Sequence, residues 1–211
     1  GIRYIMADGL NLPINAMFAL SSCVPSSHLE TSGARLEAAD LAPLFDDERV
    51  VALAEMMNYP GTVNGDPGVL AKINLGLSRR VVDGHCPGLT GRSLEAYIAA
   101  GISSDHECTK ASEALEKLSR GMKIYIREGS AARNLEALLP AITPETMSRF
   151  CFCTDDRHPG DLADEGHIDH DLAHGVLRNL RNEAVIGATS GPIFEADLET
   201  ERAPRRRAGR W

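Results

Sequence analysis

The sequence predicts an α/β fold in which a parallel sheet forms part of an eight-stranded (β/α) barrel, with about six of the eight strands present. Short apolar segments alternate with amphipathic helices along the chain, which is typical of parallel sheets. Four acidic or histidine residues follow directly on such segments, where parallel barrels carry their chemistry. They are Glu55, His85, His106 and Asp155. The 211 residues fall short of the ~250 typical of a complete barrel.

The strands are predicted from short apolar segments bounded by turn-forming residues. They lie at 15–23, 50–55, 81–84, 102–105, 122–127 and 150–154. The first is followed by a loop rich in proline and serine that contains Pro25. Six strands cannot close an eight-stranded ring, so the expected fold is an incomplete TIM-like barrel that lacks two strands at its N-terminal end.

Helices are predicted between the strands from apolar spacing and from start and stop residues. They lie at 37–45, 67–77, 93–100, 112–120 and 134–139, with a short one after Pro144 and a last one at 168–180. Pro67 fits a first helical turn, and Gly101 and Gly121 are normal C-terminal stops. We therefore expect a partial barrel domain at 1–175 and a divergent, poorly ordered tail at 176–211.

The composition limits the classes of partner. A net charge of −8 and a pI near 5.4 argue against a general nucleic-acid or anionic-membrane binder. A basic end with five arginines after Glu201 is expected to be a solvated tail. Five cysteines, an odd number at irregular spacing, fit a reducing compartment. Without a long apolar segment or signal-peptide pattern, a cytoplasmic location is expected.

The four residues at strand ends are of the types that bind divalent transition metals in hydrolytic sites. Each has an alternative interpretation. Glu55 could be a buried ion pair, His85 a turn residue, His106 a capping group, and Asp155 an N-cap of the next helix. Two histidines at successive strand ends favour metal binding, so we predict a metal-dependent hydrolase.

A further loop follows the fifth predicted strand. It combines a charge pair with glycine and small residues, which fits a substrate loop at the active end of a barrel. Its candidate substrate-binding residues are Arg127, Glu128 and Ser130. The alternative is an ion pair with no functional role, of small energetic value.

Several ordered motifs between about Gly1 and His170 resemble the bacterial adenine deaminase family of the amidohydrolase superfamily. These motifs are Ser22-Cys23-Val24-Pro25, Glu30-Thr31-Ser32-Gly33-Ala34, Glu55-Met56-Met57-Asn58, Asn64-Gly65-Asp66-Pro67, Asp83-Gly84-His85, Ser104-Asp105-His106-Glu107, Arg127-Glu128-Gly129-Ser130 and Cys153-Thr154-Asp155-Asp156-Arg157-His158-Pro159. The resemblance implies hydrolysis of adenine to hypoxanthine and ammonia by attack of a metal-bound hydroxide on C6, as in purine salvage.

The resemblance also implies roles for individual residues. Glu55 would bridge two divalent metals, Mn or Fe with Zn as an option, and His85 and His106 would each bind one of them. Asp155 would be both ligand and proton carrier, so that Asp155 and Glu55 are the predicted catalytic residues. Arg127, Glu128 and Ser130 would line the adenine site, and the family implies a homo-oligomer.

Two features depart from the family pattern. The family has a His-x-His pair on its first barrel strand, and this chain has none. The sequence also diverges after Arg178, which predicts a chain truncated at its N-terminus and altered at its C-terminus. The alternatives are an amidohydrolase for another amino-purine or a cyclic amide, and a non-catalytic gene relic.

Overall fold

The computed structural model describes residues 1–168. Six strands lie in this range: β1 Phe18–Leu20, β2 Val50–Met56, β3 Val81–Gly84, β4 Ser104–Asp105, β5 Lys123–Arg127 and β6 Phe150–Cys153. Its helices are α1 Ile2–Asp8, α2 Ala38–Leu41, α3 Tyr59–Val63, α4 Pro67–Arg79, α5 Gly91–Ala99, α6 Ala111–Ser119, α7 Leu135–Leu138 and α8 Pro159–Asp164. The predicted helix at 168–180 runs past the described residues, and the predicted tail at 176–211 lies outside them.

The strands form two parallel sheets of three strands each, in the orders β1-β2-β3 and β4-β5-β6. The two sheets meet where β3 approaches β4. There the Gly84 backbone N–H donates a hydrogen bond to Ser104 Oγ over 3.3 Å. A side chain at Gly84 would place Cβ 2.0 Å from the Ser104 carbonyl oxygen, so only glycine allows this approach. The predicted α/β fold with parallel strands is confirmed.

Each predicted strand is present, but two are shorter than the sequence suggests. The predicted strand at 15–23 contains only the three residues of β1, and the one at 102–105 only the two residues of β4. β1 has a hydrogen-bonded neighbour on one side only among the described residues. The other residues of the two predicted segments lie outside the ladders, which pair Phe18–Leu20 with β2 and Ser104–Asp105 with β5.

The predicted helices between the strands are also present, with shorter ones ending in 3₁₀ turns. The helix expected at 37–45 is α2 followed by a 3₁₀ turn at Ala42–Leu44, and the one after Pro144 is a 3₁₀ turn at Met147–Arg149. Three helices were not predicted: α1, α3 and α8. The segment of α3 contains Pro60 and Gly61, which disfavour a helix, but the Asn58 side chain caps it by accepting from the Gly61 N–H over 3.0 Å.

The core lies between the sheets and the helices that connect their strands. α4 packs on β2 and β3, while α6 and α7 pack on β5. Gly76 in α4 permits close packing, because a Cβ there would lie 2.7 Å from Val82 and 2.9 Å from Leu53. None of the helices within residues 1–168 combines the length and apolar character needed to cross a membrane. This packing presents the carboxyl ends of the strands along one edge.

Candidate metal centre

The carboxyl ends of the strands place five polar side chains at one edge of the sheets. Glu55 is the last but one residue of β2, and His85 and His106 follow β3 and β4 directly. Arg127 ends β5, and Asp155 lies two residues after β6. Parallel strands that run in chain order bring these ends together, as the sequence predicts.

Glu55 and the two histidines form the centre of this cluster. Glu55 Oε2 lies 2.9 Å from His85 Nδ1 and 3.2 Å from His106 Nε2. The imidazole rings have centroids 5.3 Å apart at an angle of 70°, and each presents a ring nitrogen to the Glu55 carboxylate. One potential ligand atom from each residue lies within 4.8 Å of the others. A carboxylate and two imidazoles that converge in this way fit a divalent transition metal.

Asp155 lies at the margin of the cluster. Its Oδ1 is 3.9 Å from His106 Nε2, and its φ of 54° places the backbone in the left-handed region, which aspartate tolerates better than most residues. The helix that follows is capped by His158, whose Nδ1 accepts from the Gly160 N–H over 3.1 Å. The alternative interpretation of Asp155 as an N-cap is therefore wrong.

Glu107 also belongs to the cluster, although no sequence pattern marks it as a site residue. Its Oε1 lies 3.4 Å from His85 Nδ1 and 3.5 Å from His106 Nε2. The same oxygen accepts a hydrogen bond from Arg127 Nη1, which is 3.6 Å from Asp155 Oδ2. The only signal in the sequence was its position next to His106. Arg127 therefore contacts the carboxylates of both Glu107 and Asp155.

The three predicted substrate residues separate in the structure. Arg127 faces the cluster, whereas Glu128 is buried and its Oε1 accepts from the Leu135 N–H at the start of α7 over 2.7 Å. Ser130 Oγ donates to Asp161 and accepts from the His158 N–H over 2.7 Å. These contacts give Glu128 and Ser130 a part in holding their loop, and their contact with a substrate stays a prediction.

Buried polar side chains hold the backbone on either side of the centre. Ser22 Oγ donates to the Glu55 carbonyl oxygen over 2.6 Å. The fully buried Tyr97 donates its hydroxyl proton to the Met56 carbonyl over 2.9 Å and accepts from the His85 N–H over 2.9 Å. One side chain thus ties the end of β2 to the residue after β3, which fixes the distance between Glu55 and His85.

The charges at the centre are strongly coupled. Hydrogen bonds from His106 and His85 lower the pKa of Glu55 well below its usual range. Burial alone would lower the pKa of His106, but the hydrogen bond to Glu55 and the charges of Asp83, Glu55 and Asp105 outweigh it and raise that pKa to about 9. Asp83 is half-buried, and its desolvation raises its pKa. In the absence of a metal, the positive charge of His106 compensates the charges of Glu55, Asp83 and Asp105.

A second group of potential ligands lies behind the first and consists of Asp105, Cys108 and Glu113. The ammonium group of Lys117 already lies between its carboxylates, 2.8 Å from Asp105 Oδ2 and 2.7 Å from Glu113 Oε1. Burial raises the pKa of the Cys108 thiol, which disfavours the thiolate needed for metal binding. This group is therefore an ion-pair network with a lysine as its cation.

Comparison with known proteins agrees with the motifs. The α/β fold with parallel sheets and the residues at its strand ends fit an amidohydrolase-type protein. No family model matches the chain. Curated proteins named adenine deaminase are similar to it over most of its length. That of Desulfatibacillum aliphaticivorans is 50% identical over 181 residues, 85% of this chain and 32% of that protein. That of Cereibacter sphaeroides is 49% identical over 211 residues, 99% and 37% of the two chains.

A third relative, the adenine deaminase of Clostridium acetobutylicum, is 46% identical over 191 residues, 90% of this chain and 34% of that protein. The chain is therefore related to the adenine deaminase family, and the resemblance of its motifs is confirmed. It spans about a third of the length of the curated relatives it matches.

Proposed function

We propose that the chain carries the metal-binding strand ends of a metal-dependent adenine deaminase, which converts adenine and water to hypoxanthine and ammonia. One observation carries the proposal. Glu55, His85 and His106 converge within 4.8 Å at one edge of a parallel α/β fold, in a chain about half identical to proteins named adenine deaminase. The chain matches about a third of the length of those proteins, so the activity is proposed for it and is tested on the chain itself.

The residues at the centre suit a pair of divalent ions. Glu55 would be a ligand shared by both ions, and His85 and His106 would each hold one, with Mn or Fe as the proposed metals and Zn as a further option. A divalent ion held by these residues would supply Lewis-acid chemistry, lowering the pKa of a water molecule beside the substrate. The proposed fold around this centre is an incomplete TIM-like barrel of residues 1–175.

The remaining chemistry is assigned to the side chains. Asp155 accepts the proton of the attacking water as oxygen bonds to C6, and it passes this proton to the amino nitrogen that leaves as ammonia. Arg127 lies 3.6 Å from Asp155 Oδ2, so its charge orients that carboxylate. Glu107 in turn holds Arg127 in place.

The substrate and the cellular setting complete the proposal. Adenine is the substrate, and Arg127, Glu128 and Ser130 form the loop that encloses it. We further propose a cytoplasmic, homo-oligomeric protein that acts in purine salvage, with residues 176–211 as a tail outside the catalytic fold. Neither nucleic acid nor membrane is a proposed partner.

The test measures metal content and ammonia release on the same samples. The chain is purified with Mn(II) or Fe(II) and assayed with adenine, alongside D155N and D156N variants. Asp156 is exposed and next in sequence, which makes its variant a matched control. The proposal predicts about two bound metal ions per chain. It also predicts that wild type and D156N release ammonia from adenine and that D155N does not.

Two results would contradict the proposal. Absence of bound metal and of ammonia release under both metals would exclude the activity for this chain. Ammonia release from another amino-purine or hydrolysis of a cyclic amide, without turnover of adenine, would assign the site to a different amidohydrolase substrate.

A further inference from the structure

We propose that Lys117 is a positioning residue, which sets the separation of His85 and His106 through a buried network behind them. The proposal rests on the metal site described above, and it assigns a task to residues that touch neither metal nor substrate. The network consists of Lys117, Asp105, Glu113 and the backbone of Cys86.

Lys117 is fully buried and has a partner for each proton of its ammonium group. Its Nζ donates to Asp105 Oδ2 over 2.8 Å, to the Cys86 carbonyl over 2.8 Å and to Glu113 Oε1 over 2.7 Å. An ammonium group offers three donors, so all of its hydrogen-bonding capacity is used. A side chain held by three bonds from different segments has one position.

Asp105 extends these bonds to both loops that carry the histidines. Its Oδ1 accepts from the Cys86 N–H over 2.8 Å, directly after His85. Its Oδ2 accepts from the Glu107 N–H over 3.2 Å, directly after His106. The network therefore holds the residue that follows each histidine.

Glu113 holds the same loop at a second point, because its Oε1 also accepts from the Gly88 N–H over 2.9 Å. The loop after β3 is thus anchored at Cys86 by Lys117 and Asp105, and at Gly88 by Glu113. Both anchors lie within three residues of His85, so the network restrains the backbone from which His85 projects.

Energetics favour a positioning role over a purely stabilising one. Burial of an ammonium and a carboxylate costs several kcal/mol for each ion, and apolar replacements of such pairs are often as stable or more so. A network with this cost lies directly behind two candidate ligands. Loss of such outer partners typically weakens metal binding by about 10- to 100-fold.

The test compares Co(II) binding, followed by its visible absorption, in the full chain and in two variants. The double variant K117M/D105N removes both charges with little change of volume, and the amide that replaces the Asp105 carboxylate would keep an oxygen for the Cys86 N–H. The control R120M removes a cation of the same helix end that pairs at the surface with Glu116. We expect Co(II) affinity to fall by about 10- to 100-fold in the double variant and to stay within about twofold in R120M.

A second readout uses the metal-free protein. Nitrogen NMR of the two imidazole rings reports their contacts with Glu55, which are 2.9 and 3.2 Å in the structure. We expect these signals to change in the double variant and to stay as in wild type in R120M. If wild type itself binds no Co(II), the proposed metal site fails, and the ring signals still decide whether Lys117 positions the histidines.

The proposal would be overturned by a folded double variant with wild-type Co(II) affinity and wild-type ring signals. If K117M/D105N does not fold, E113Q decides instead. It removes one charge from the network but keeps an oxygen for Lys117, so a smaller loss of affinity and shifted His85 signals are expected. An E113Q protein identical to wild type in both readouts would then refute the role.

Discussion

Replacement of Glu55 by glutamine should lower the pKa of His106 in the metal-free protein. Glu55 Oε2 lies 3.2 Å from His106 Nε2, and this hydrogen bond helps raise the pKa of His106 to about 9. Against the ordinary 6.5, this corresponds to about 3 kcal/mol in favour of the charged imidazole. Asp83 and Asp105 remain, so E55Q should lower the pKa by about 1 to 2 pH units rather than abolish the shift.

The assay is a histidine NMR titration of wild type, E55Q and the control D156N without metal. The sign of the effect on stability follows from linkage. A pKa raised on folding stabilises the protein below the unfolded value of about 6.5, and this contribution is lost as the pH rises through about 9. The difference in unfolding free energy between wild type and E55Q should therefore be largest between about pH 4.5 and 6.5, because below that window the unfolded chain binds a proton at Glu55, whose pKa is lowered on folding. A His106 in E55Q that still titrates near 9 would refute the assignment of Glu55 as its partner.

Three further predictions concern the supports of the site. Y97F should lose about 2 to 4 kcal/mol of unfolding free energy in urea, because the Met56 carbonyl and the His85 N–H would be left buried without their partner; unchanged stability would contradict this. Burial would raise the pKa of Asp105, but the charge of Lys117 outweighs this effect and lowers that pKa. The free energy of unfolding should therefore fall as the pH drops below about 4, and it should fall less steeply in D105N. Equal losses of stability with falling pH in wild type and D105N would exclude the Asp105–Lys117 ion pair as their cause. Protein in the presence of free metal at 100 times Kd should be more stable by about 2.7 kcal/mol, so removal of the metal with a chelator should lower its melting temperature. An unchanged melting temperature would mean that the folded protein had no filled metal site.

Much of the fold could be predicted because apolar segments and turn residues act locally. β2, β3, β5 and β6 begin and end within about two residues of their predicted bounds. The unpredicted helices depend on other factors. α3 contains a proline and a glycine, and its cap by Asn58 and its burial against α5 overcome their low propensity.

The site was predictable to the extent that it follows from strand ends. Glu55, His85, His106 and Asp155 were placed by counting from apolar segments, and the structure brings them together. Glu107 was missed, because beyond the end of β4 the strand alternation no longer tells which side chains face the edge.

Two other features lie beyond the sequence pattern for similar reasons. The Lys117 network joins residues of three segments, and its distances exist only once those segments are packed. The separation of Arg127 from Glu128 and Ser130 depends on how their loop turns after β5.

The most direct test of the central claim is a Co(II) titration of the chain and of an H106N variant. His106 is almost wholly buried at the centre of the cluster, so its replacement removes a ligand from the interior of the site. The account predicts saturable binding by wild type, with an absorption spectrum of nitrogen and oxygen ligands, and binding weaker by at least about tenfold in H106N. Equal affinity and identical spectra in the two proteins would contradict a metal centre at these strand ends.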